Sequence, residues 1–426
     1  MSARGTELYR QRRDCRLCHS AAVELAVPLK PVPVATPNVG AASGDDPALF
    51  QPVPLDLSLC RDCGLLQLMA VGNPELQYCG YTYKTASSLG LSDFFKKTAA
   101  GILADIAPPP GALVVEFGSN DGTYLRPFKD AGMRVLGIDP AAEIARVATI
   151  SGIPTLGTFF TSELAEQIRA DHGPASVILA NNVIANIDDL DDLTRAIRSL
   201  LAADGVFVFQ TQYGADVLRG NLLDTIYHEH LSYFHVKPLQ LHFRRWNMEV
   251  VDVRRIWTKG GSIQVTVQHA GGPRTVAPVV VQLIAEEERD GIYDMAMHRR
   301  FAAHIETLRR DIRRLVSTGR PAGRKVCGYG ASVGTVTLLT QFDLATELDA
   351  LFDDNPEKDS ALRGPGFALT ILPPQAVAEL DPALIVIFAW RYADAILAKH
   401  DAWLERGGAA IIPLPEISVI RRRKAG

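Results

Sequence analysis

The chain has 426 residues, of which 47% are hydrophobic and 22% charged, and carries a formal net charge of −4. At roughly 100–200 residues per domain this length implies two or three domains, and the near-neutral charge excludes a bulk electrostatic attraction to nucleic acid or acidic membranes. No stretch approaches the roughly 18 consecutive apolar residues of a membrane span, and Met1–Arg16 lacks the apolar run of a secretory signal, so the expected compartment is the cytosol.

The first 75 residues hold two close cysteine pairs, Cys15/Cys18 and Cys60/Cys63, around a Pro/Gly/Ala-rich middle from Pro28 to Pro54. Such a segment cannot bury a core unaided. Two Cys-x-x-Cys pairs separated by 41 residues can instead supply four thiolates to one tetrahedral zinc. With every position filled by sulfur the metal is structural. Gly64, just after the second pair, suits the tight turn of such a knuckle. Residues 92–107 carry apolar positions at helical spacing, with Ser92 as the expected N-cap and Pro108 to Gly111 as the stop.

From residue 112 strands and helices alternate. Strands are expected at 112–118, 134–139, 175–183 and 205–211, with helices between them and a closing hairpin at 256–269. A long charged helical stretch at about 277–318 leads to a second alternating block, with strands beginning near 324, 349, 383 and 408. The fold class is therefore α/β. A zinc-binding module (1–75) precedes a central Rossmann-like domain (76–270) and a second Rossmann-like α/β domain (271–426).

The turn after the first central strand reads Glu116-Phe-Gly118-Ser119-Asn120-Asp121-Gly122. It matches neither G-x-G-x-x-G nor the Walker lysine motif, which argues against a dinucleotide or nucleoside triphosphate. An acidic strand residue before a glycine-rich turn fits the S-adenosylmethionine loop of a class I methyltransferase. Asp139 ends the next strand, where a carboxylate can accept from ribose hydroxyls. Asn181 and Asn182 end the third, where amides can hold the adenine edge or the amino-acid moiety. Residues 224–233, Asp-Thr-Ile-Tyr-His-Glu-His-Leu-Ser-Tyr, are too polar for a core strand. His228 and His230 lack the spacing of a zinc-protease helix, whereas an imidazole near neutral pKa can take a proton from a carbon beside a ketone.

Several motifs recur in a fixed order. They are C-x-x-C…C-x-x-C-G-L-x-Q (Cys15–Gln67), Y-x-Y (Tyr81–Tyr83), E-x-G-S-N-D-G-T-x-L (Glu116–Leu125), A-N-N-V (Ala180–Val183), the decapeptide Asp224–Tyr233, G-G-S (Gly260–Ser262), Y-G-A (Tyr329–Ala331) and D-x-N-P (Asp353–Pro356). Together they resemble the three-domain sugar C-methyltransferases that act on nucleotide-linked 4-keto deoxyhexoses in antibiotic-sugar and surface-polysaccharide pathways. The resemblance implies that the central domain binds S-adenosylmethionine and that the third holds the acceptor's nucleotide. His230 would be the base acting on carbon 3, assisted by Tyr227 and Glu229. Tyr81, Tyr83 and His228 would bind the sugar, and Tyr329, Gly330, Ala331, Asp353, Asn355 and Lys358 the rest of the acceptor. A monomer is expected.

Two departures stand out. Gly334 and Val336 replace the lysine and asparagine of the family's Y-G-A-x-A-K-G-N loop, and Asn186 stands where a histidine is common. The competing readings are O- or N-methylation of a related sugar or small metabolite, and a zinc ribbon that binds nucleic acid. Residues 1–75 lack the clustered cations and interleaved aromatics of the latter.

Overall fold

The computed structural model describes residues 7–34, 50–81, 84–85, 90–321, 323–356, 358 and 361–422. Tyr83 lies outside them. Among the described residues no helix is long and apolar enough to cross a membrane.

The N-terminal module consists of β1 (Tyr9–Gln11), β2 (Val23–Val27), β3 (Leu57–Cys60), β4 (Leu66–Leu68), β5 (Ala70–Gly72) and the short helix α1 (Pro74–Tyr78). The four cysteine sulfurs lie within 4.8 Å of one another, with Cys15–Cys63 at 3.6 Å and Cys18–Cys60 at 3.5 Å. These separations are far beyond a disulfide of about 2.05 Å. They are close to the roughly 3.8 Å tetrahedral edge that a Zn–S bond of about 2.3 Å generates. The donor set therefore fits zinc. Gly64 takes the left-handed φ of +82° expected of the second knuckle, and a Cβ there would stand 2.5 Å from the Tyr293 ring.

Helix α2 spans Leu91–Ile106 and buries Phe95, Ala99 and Ile102 along one stripe. Its N-cap is Gly90 rather than Ser92, and no side chain caps it. The chain then alternates through β6 (Leu113–Phe117), α3 (Arg126–Asp130), β7 (Arg134–Ile138), α4 (Ala142–Ile150), β8 (Thr155–Leu156), α5 (Ser162–His172), β9 (Ala175–Asn181), α6 (Leu190–Leu200) and β10 (Leu201–Gln212). After α7 (Gly214–Arg219), β11 (Ser232–Tyr233) and α8 (Val236–Arg245) comes the hairpin β12 (Met248–Ile256) and β13 (Ser262–His269). The hairpin thus begins eight residues earlier than its apolar pattern suggested. The sheet order is β12-β13-β10-β9-β6-β7-β8. The strands from β8 to β10 run parallel, and β13 is antiparallel to both β10 and β12.

The connector is two helices, α9 (Pro278–Arg289) and α10 (Met295–Thr318). The break falls at Gly291, whose φ of +68° no continuous helix permits. The last part comprises β14 (Val326–Tyr329), α11 (Val333–Gln341), β15 (Ala350–Phe352), β16 (Ala361–Gly364), β17 (Phe367–Leu372), β18 (Leu384–Ile387), β19 (Ala409–Ile412) and β20 (Ser418–Arg421). Its sheet order is β16-β17-β15-β14-β18-β19-β20. Five parallel strands are closed at each edge by an antiparallel one.

One buried apolar cluster runs through all three parts, from Leu57 and Leu66 through Ile226 and Phe234 to Leu338 and Val386. The joint between the first two is also a sheet. β11 pairs antiparallel with β4, Ser232 opposite Gln67 and Tyr233 opposite Leu66. The zinc knuckle therefore carries the strand on which residues 232–233 lie.

Because the module's own core is small, a Cys63→Ser variant or exhaustive chelation should release stoichiometric zinc and lower the thermal midpoint by more than about 5 °C. Metal analysis with calorimetry checks this. A metal-free protein of unchanged midpoint would show that the cysteines need no metal.

Candidate active site

A cavity of about 960 Å³ opens at the carboxyl edge of the central sheet. Strand order reverses there between β6 and β9, the crevice where open α/β sheets bind ligands. Gly118 forms its floor with φ +66°. A Cβ at that position would fall 2.9 Å from the Val183 side chain, so the turn admits only glycine without a shift. Asn120 follows with φ +49° and donates its N–H to Asp139 Oδ2 at 2.8 Å, while Ala141 N–H donates to Oδ1 at 3.0 Å. Each Asp139 oxygen keeps a second lone pair for a ligand hydroxyl. Burial raises the Asp139 carboxyl above its ordinary pKa.

Of the nine cofactor candidates, Gly118, Asn120, Asp139, Asn181 and Asn182 line this cavity. Glu116, Ser119, Asp121 and Gly122 do not, which corrects the expectation that the whole loop faces ligand. Asp121 accepts from Thr123 N–H and its hydroxyl at 3.1 and 2.5 Å, holding the turn's exit. Gly122 (φ +76°) packs on Ile153, where a Cβ would meet Ile153 at 2.9 Å. The sequence reading missed Thr158, Phe159, Phe160 and Thr161, which line the cavity after β8. Their one legible signal was the aromatic pair; Phe160 stacks on Phe117 at 5.0 Å and 12°.

The segment 224–233 lines the same cavity through Tyr227, Glu229, His230 and Leu231. His230 Nδ1 lies 2.9 Å from the Thr225 carbonyl and Nε2 lies 3.0 Å from the Tyr227 hydroxyl. A carbonyl only accepts, so Nδ1 carries the proton and Nε2 presents its lone pair. Burial, then the neighbouring Glu229, push the Tyr227 phenol well above its usual range, so it stays a neutral donor. His228 points the other way. It is 1% exposed, its Nε2 meets the Val32 carbonyl at 3.1 Å, and burial lowers its pKa to about 4. It is a neutral joint with the zinc module and does not line the cavity, contrary to the expected sugar contact.

Tyr81 lines the cavity together with Tyr78, Tyr9 and Arg10 of the N-terminal module. In the third domain, Tyr329, Gly330, Ala331, Asp353, Asn355 and Lys358 cluster at the carboxyl edge of β14 and β15, but none of them lines the cavity; Val333 does. The cluster is internally satisfied. Ala331 N–H and Lys358 Nζ reach Asp353 Oδ2 at 2.7 and 3.0 Å, Asn355 N–H reaches Oδ1 at 2.9 Å, and the Tyr329 hydroxyl donates to Asp354 at 3.0 Å.

The cavity is acidic. Glu7, Glu75, Asp139, Asp188, Asp189, Asp192 and Glu229 line it against Arg10, the one lysine or arginine among the described lining residues. Asp188 is paired with Arg10, Arg12 and Arg16 and Asp192 with Arg195, and the remaining carboxylates favour a cationic ligand such as a sulfonium. Beneath the glycine turn, Glu116 is 2% exposed and its Oε2 has no hydrogen-bond partner among the described residues. Burial, then Asp139 and Asp121, raise its pKa well above the usual value. Its proton therefore stabilises the fold fully below about pH 4.3, the unfolded value, and that contribution is lost as pH rises through the raised folded value. In thermal scans of the cofactor-free protein, Glu116→Gln should flatten the decline in midpoint that sets in as pH rises above about 4.3. Parallel curves for variant and wild type would refute a buried neutral carboxyl.

Comparison with known proteins agrees with this arrangement. A zinc-binding domain family matches residues 15–78, a methyltransferase domain family 93–253 and a C-methyltransferase C-terminal domain family 257–415. The C-methyltransferase NovU of Streptomyces niveus is 35% identical over 390 residues, covering 90% of this chain and 92% of NovU. Among solved structures, the SAM-bound magnesium protoporphyrin IX methyltransferase of Synechocystis PCC 6803 is 14% identical. It covers 42% of this chain and 80% of its own, with a TM-score of 0.32. The CcbJ methyltransferase of Streptomyces caelestis is 18% identical over 41% of this chain and 90% of its own, also at 0.32. The four-sulfur knuckle, the glycine turn and the histidine that line one cavity, and the match to NovU along nearly its full length place the chain in the zinc-binding, S-adenosylmethionine-dependent C-methyltransferase family.

Proposed function

We infer that the enzyme deprotonates the carbon next to a ketone, carbon 3 of a nucleotide-linked 4-keto deoxysugar, and methylates the resulting enolate. The observation that carries this reading is the His230 tautomer, whose Nε2 lone pair is turned to the Tyr227 hydroxyl in the same cavity that the glycine turn lines. Bound S-adenosylmethionine supplies an electrophilic methyl group. Gly118, Asn120, Asp139, Asn181 and Asn182 would hold it.

The remaining work falls to the chain's own residues. His230 Nε2 takes the proton from carbon and becomes an N–H donor, which can no longer accept from Tyr227. The phenol is then free to donate to the enolate oxygen, so one proton movement produces the base's product and the oxyanion's partner together. The Thr225 carbonyl and nearby Glu229 stabilise the imidazolium. Tyr78 and Tyr81 close the acceptor side, and alignment of carbanion and methyl completes the requirement. The acidic lining leaves no place for a diphosphate inside the cavity, so the carrier lies outside it, over the third domain. A cytosolic monomer in deoxysugar biosynthesis fits this chemistry.

The test uses dTDP-4-keto-6-deoxyglucose in D2O without the methyl donor. Wild type should wash deuterium into a carbon flanking the ketone, and His230→Ala should slow this by about 10²–10⁴-fold. Adding the donor should give a C-methyl product by mass spectrometry and NMR. An O- or N-methyl product without exchange would replace this reading with the alternative.

A further inference from the structure

The three residues that precede Tyr227 are held by the third domain, which otherwise touches the cavity only through Val333 among the described lining residues. Asp224 receives the Trp390 indole N–H at 3.1 Å and the Arg391 guanidinium. The first turn of α11 sits on the Asp224 carbonyl so closely that a Cβ on Gly334 would stand 2.2 Å from it. One turn further along α11, the Thr337 hydroxyl donates to the Ile226 carbonyl at 2.7 Å. A threonine inside a helix commonly bonds back to its own preceding turn; this one reaches into another domain, with its residue fully buried.

Between those two anchors lies Thr225, whose carbonyl accepts from His230 Nδ1 at 2.9 Å and from the Tyr233 hydroxyl at 3.3 Å. The Thr225 carbonyl shares one rigid plane with the Ile226 N–H, which donates to the Leu223 carbonyl at 3.1 Å, and the anchors at 224 and 226 further restrict rotation of that plane. The Thr225 carbonyl in turn sets the tautomer and plane of the His230 ring.

We propose that Thr337 is a positioning residue for the proton-abstraction step, acting from the third domain through the Thr225–Ile226 backbone on His230. The inference rests on the reading of His230 as the base. It assigns the third domain a part in the chemistry separate from any hold on the acceptor's carrier. Removing the hydroxyl isosterically leaves the Ile226 carbonyl buried without its donor. The turn then relaxes, and misalignment of a catalytic group by about 1 Å costs on the order of 10²-fold in rate.

The experiment uses full-length Thr337→Val and Thr337→Ser, with His230→Ala as reference. Solvent deuterium exchange into dTDP-4-keto-6-deoxyglucose without methyl donor isolates the proton step. Binding of S-adenosylhomocysteine by calorimetry reports the cofactor side. Nitrogen-15 histidine spectra, with His230 assigned by its absence in His230→Ala, report the tautomer and need no acceptor. Thr337→Val should slow exchange about 10- to 100-fold and reduce the Nδ1–H population, with S-adenosylhomocysteine affinity changed by less than about twofold; Thr337→Ser should restore both. Wild-type exchange and tautomer in Thr337→Val, with exchange lost in His230→Ala, would overturn the positioning role and leave the base intact. Undiminished exchange in His230→Ala would overturn the base reading itself. If Thr337→Val does not fold, Thr337→Ala removes the same hydroxyl from the Ile226 carbonyl without adding a branch to α11. An unchanged His230 tautomer and exchange rate there would equally defeat the proposal.

Discussion

The hydrogen bond from His230 Nδ1 to the Thr225 carbonyl is the contact on which the proposed chemistry turns. Without it the ring would be free to present either nitrogen, and only one presents a lone pair to the cleft. A single buried peptide cannot hold such an orientation by itself, since backbone strain and ring rotation are both soft. The surrounding structure over-determines it. Residues 224–226 are anchored to α11 and to Trp390–Arg391, while residues 228 and 231–233 are anchored to the zinc module.

The second of these anchors explains why a loop-rich module with little core belongs to the enzyme. Arg16 is 1% exposed, and its guanidinium donates to the Leu231 carbonyl and, at 2.6 Å, to the Leu68 carbonyl, while Nε pairs with Asp188 at 3.2 Å. Burial lowers the Arg16 pKa to about 10, and Asp188 opposes that shift. A buried cation so fully paired contributes less net stability than positional definition. Replacing it would take a donor from the Leu68 carbonyl and one of two from the Leu231 carbonyl, which keeps the Leu68 N–H at 3.0 Å, while Asp188 keeps Arg10 and Arg12. Zinc thus reaches the reaction through β4, β11 and Arg16, with no need for the metal to meet substrate.

Much of this was legible in sequence because it is local. The glycine turn, the alternating strands and the paired cysteines are each set within about ten residues of chain, where turn chemistry and periodicity speak directly. What sequence could not show is which way a polar side chain faces. His228 and His230 are two residues apart and chemically identical, yet one meets Val32 in the module interface and the other faces the cleft. Likewise Glu116 and Asp139 end neighbouring strands, but only Asp139 lines the cavity. The aromatic wall at 159–160 was missed because β8 is two residues long and offers no period to read. The single helix expected over 277–318 failed at Gly291, a residue tolerable in a helix until its φ is known.

The departures at Gly334 and Val336 change meaning once the fold is in view. Read as sequence, they look like a lost cation and a lost amide in a substrate loop. In the structure, Val336 is 5% exposed within the core cluster, and Gly334 has a backbone carbonyl of another domain where its Cβ would be. A side chain at 334 would have to push α11 away from Asp224, and with it the hydroxyl of Thr337. Glycine here permits close approach of two domains, the use that its missing Cβ allows. The residue that does line the cavity from this loop is Val333, an apolar one. In the proposed reaction the tyrosines of the zinc module, Glu229 and the Tyr227–His230 pair then meet the sugar, while the third domain meets its carrier.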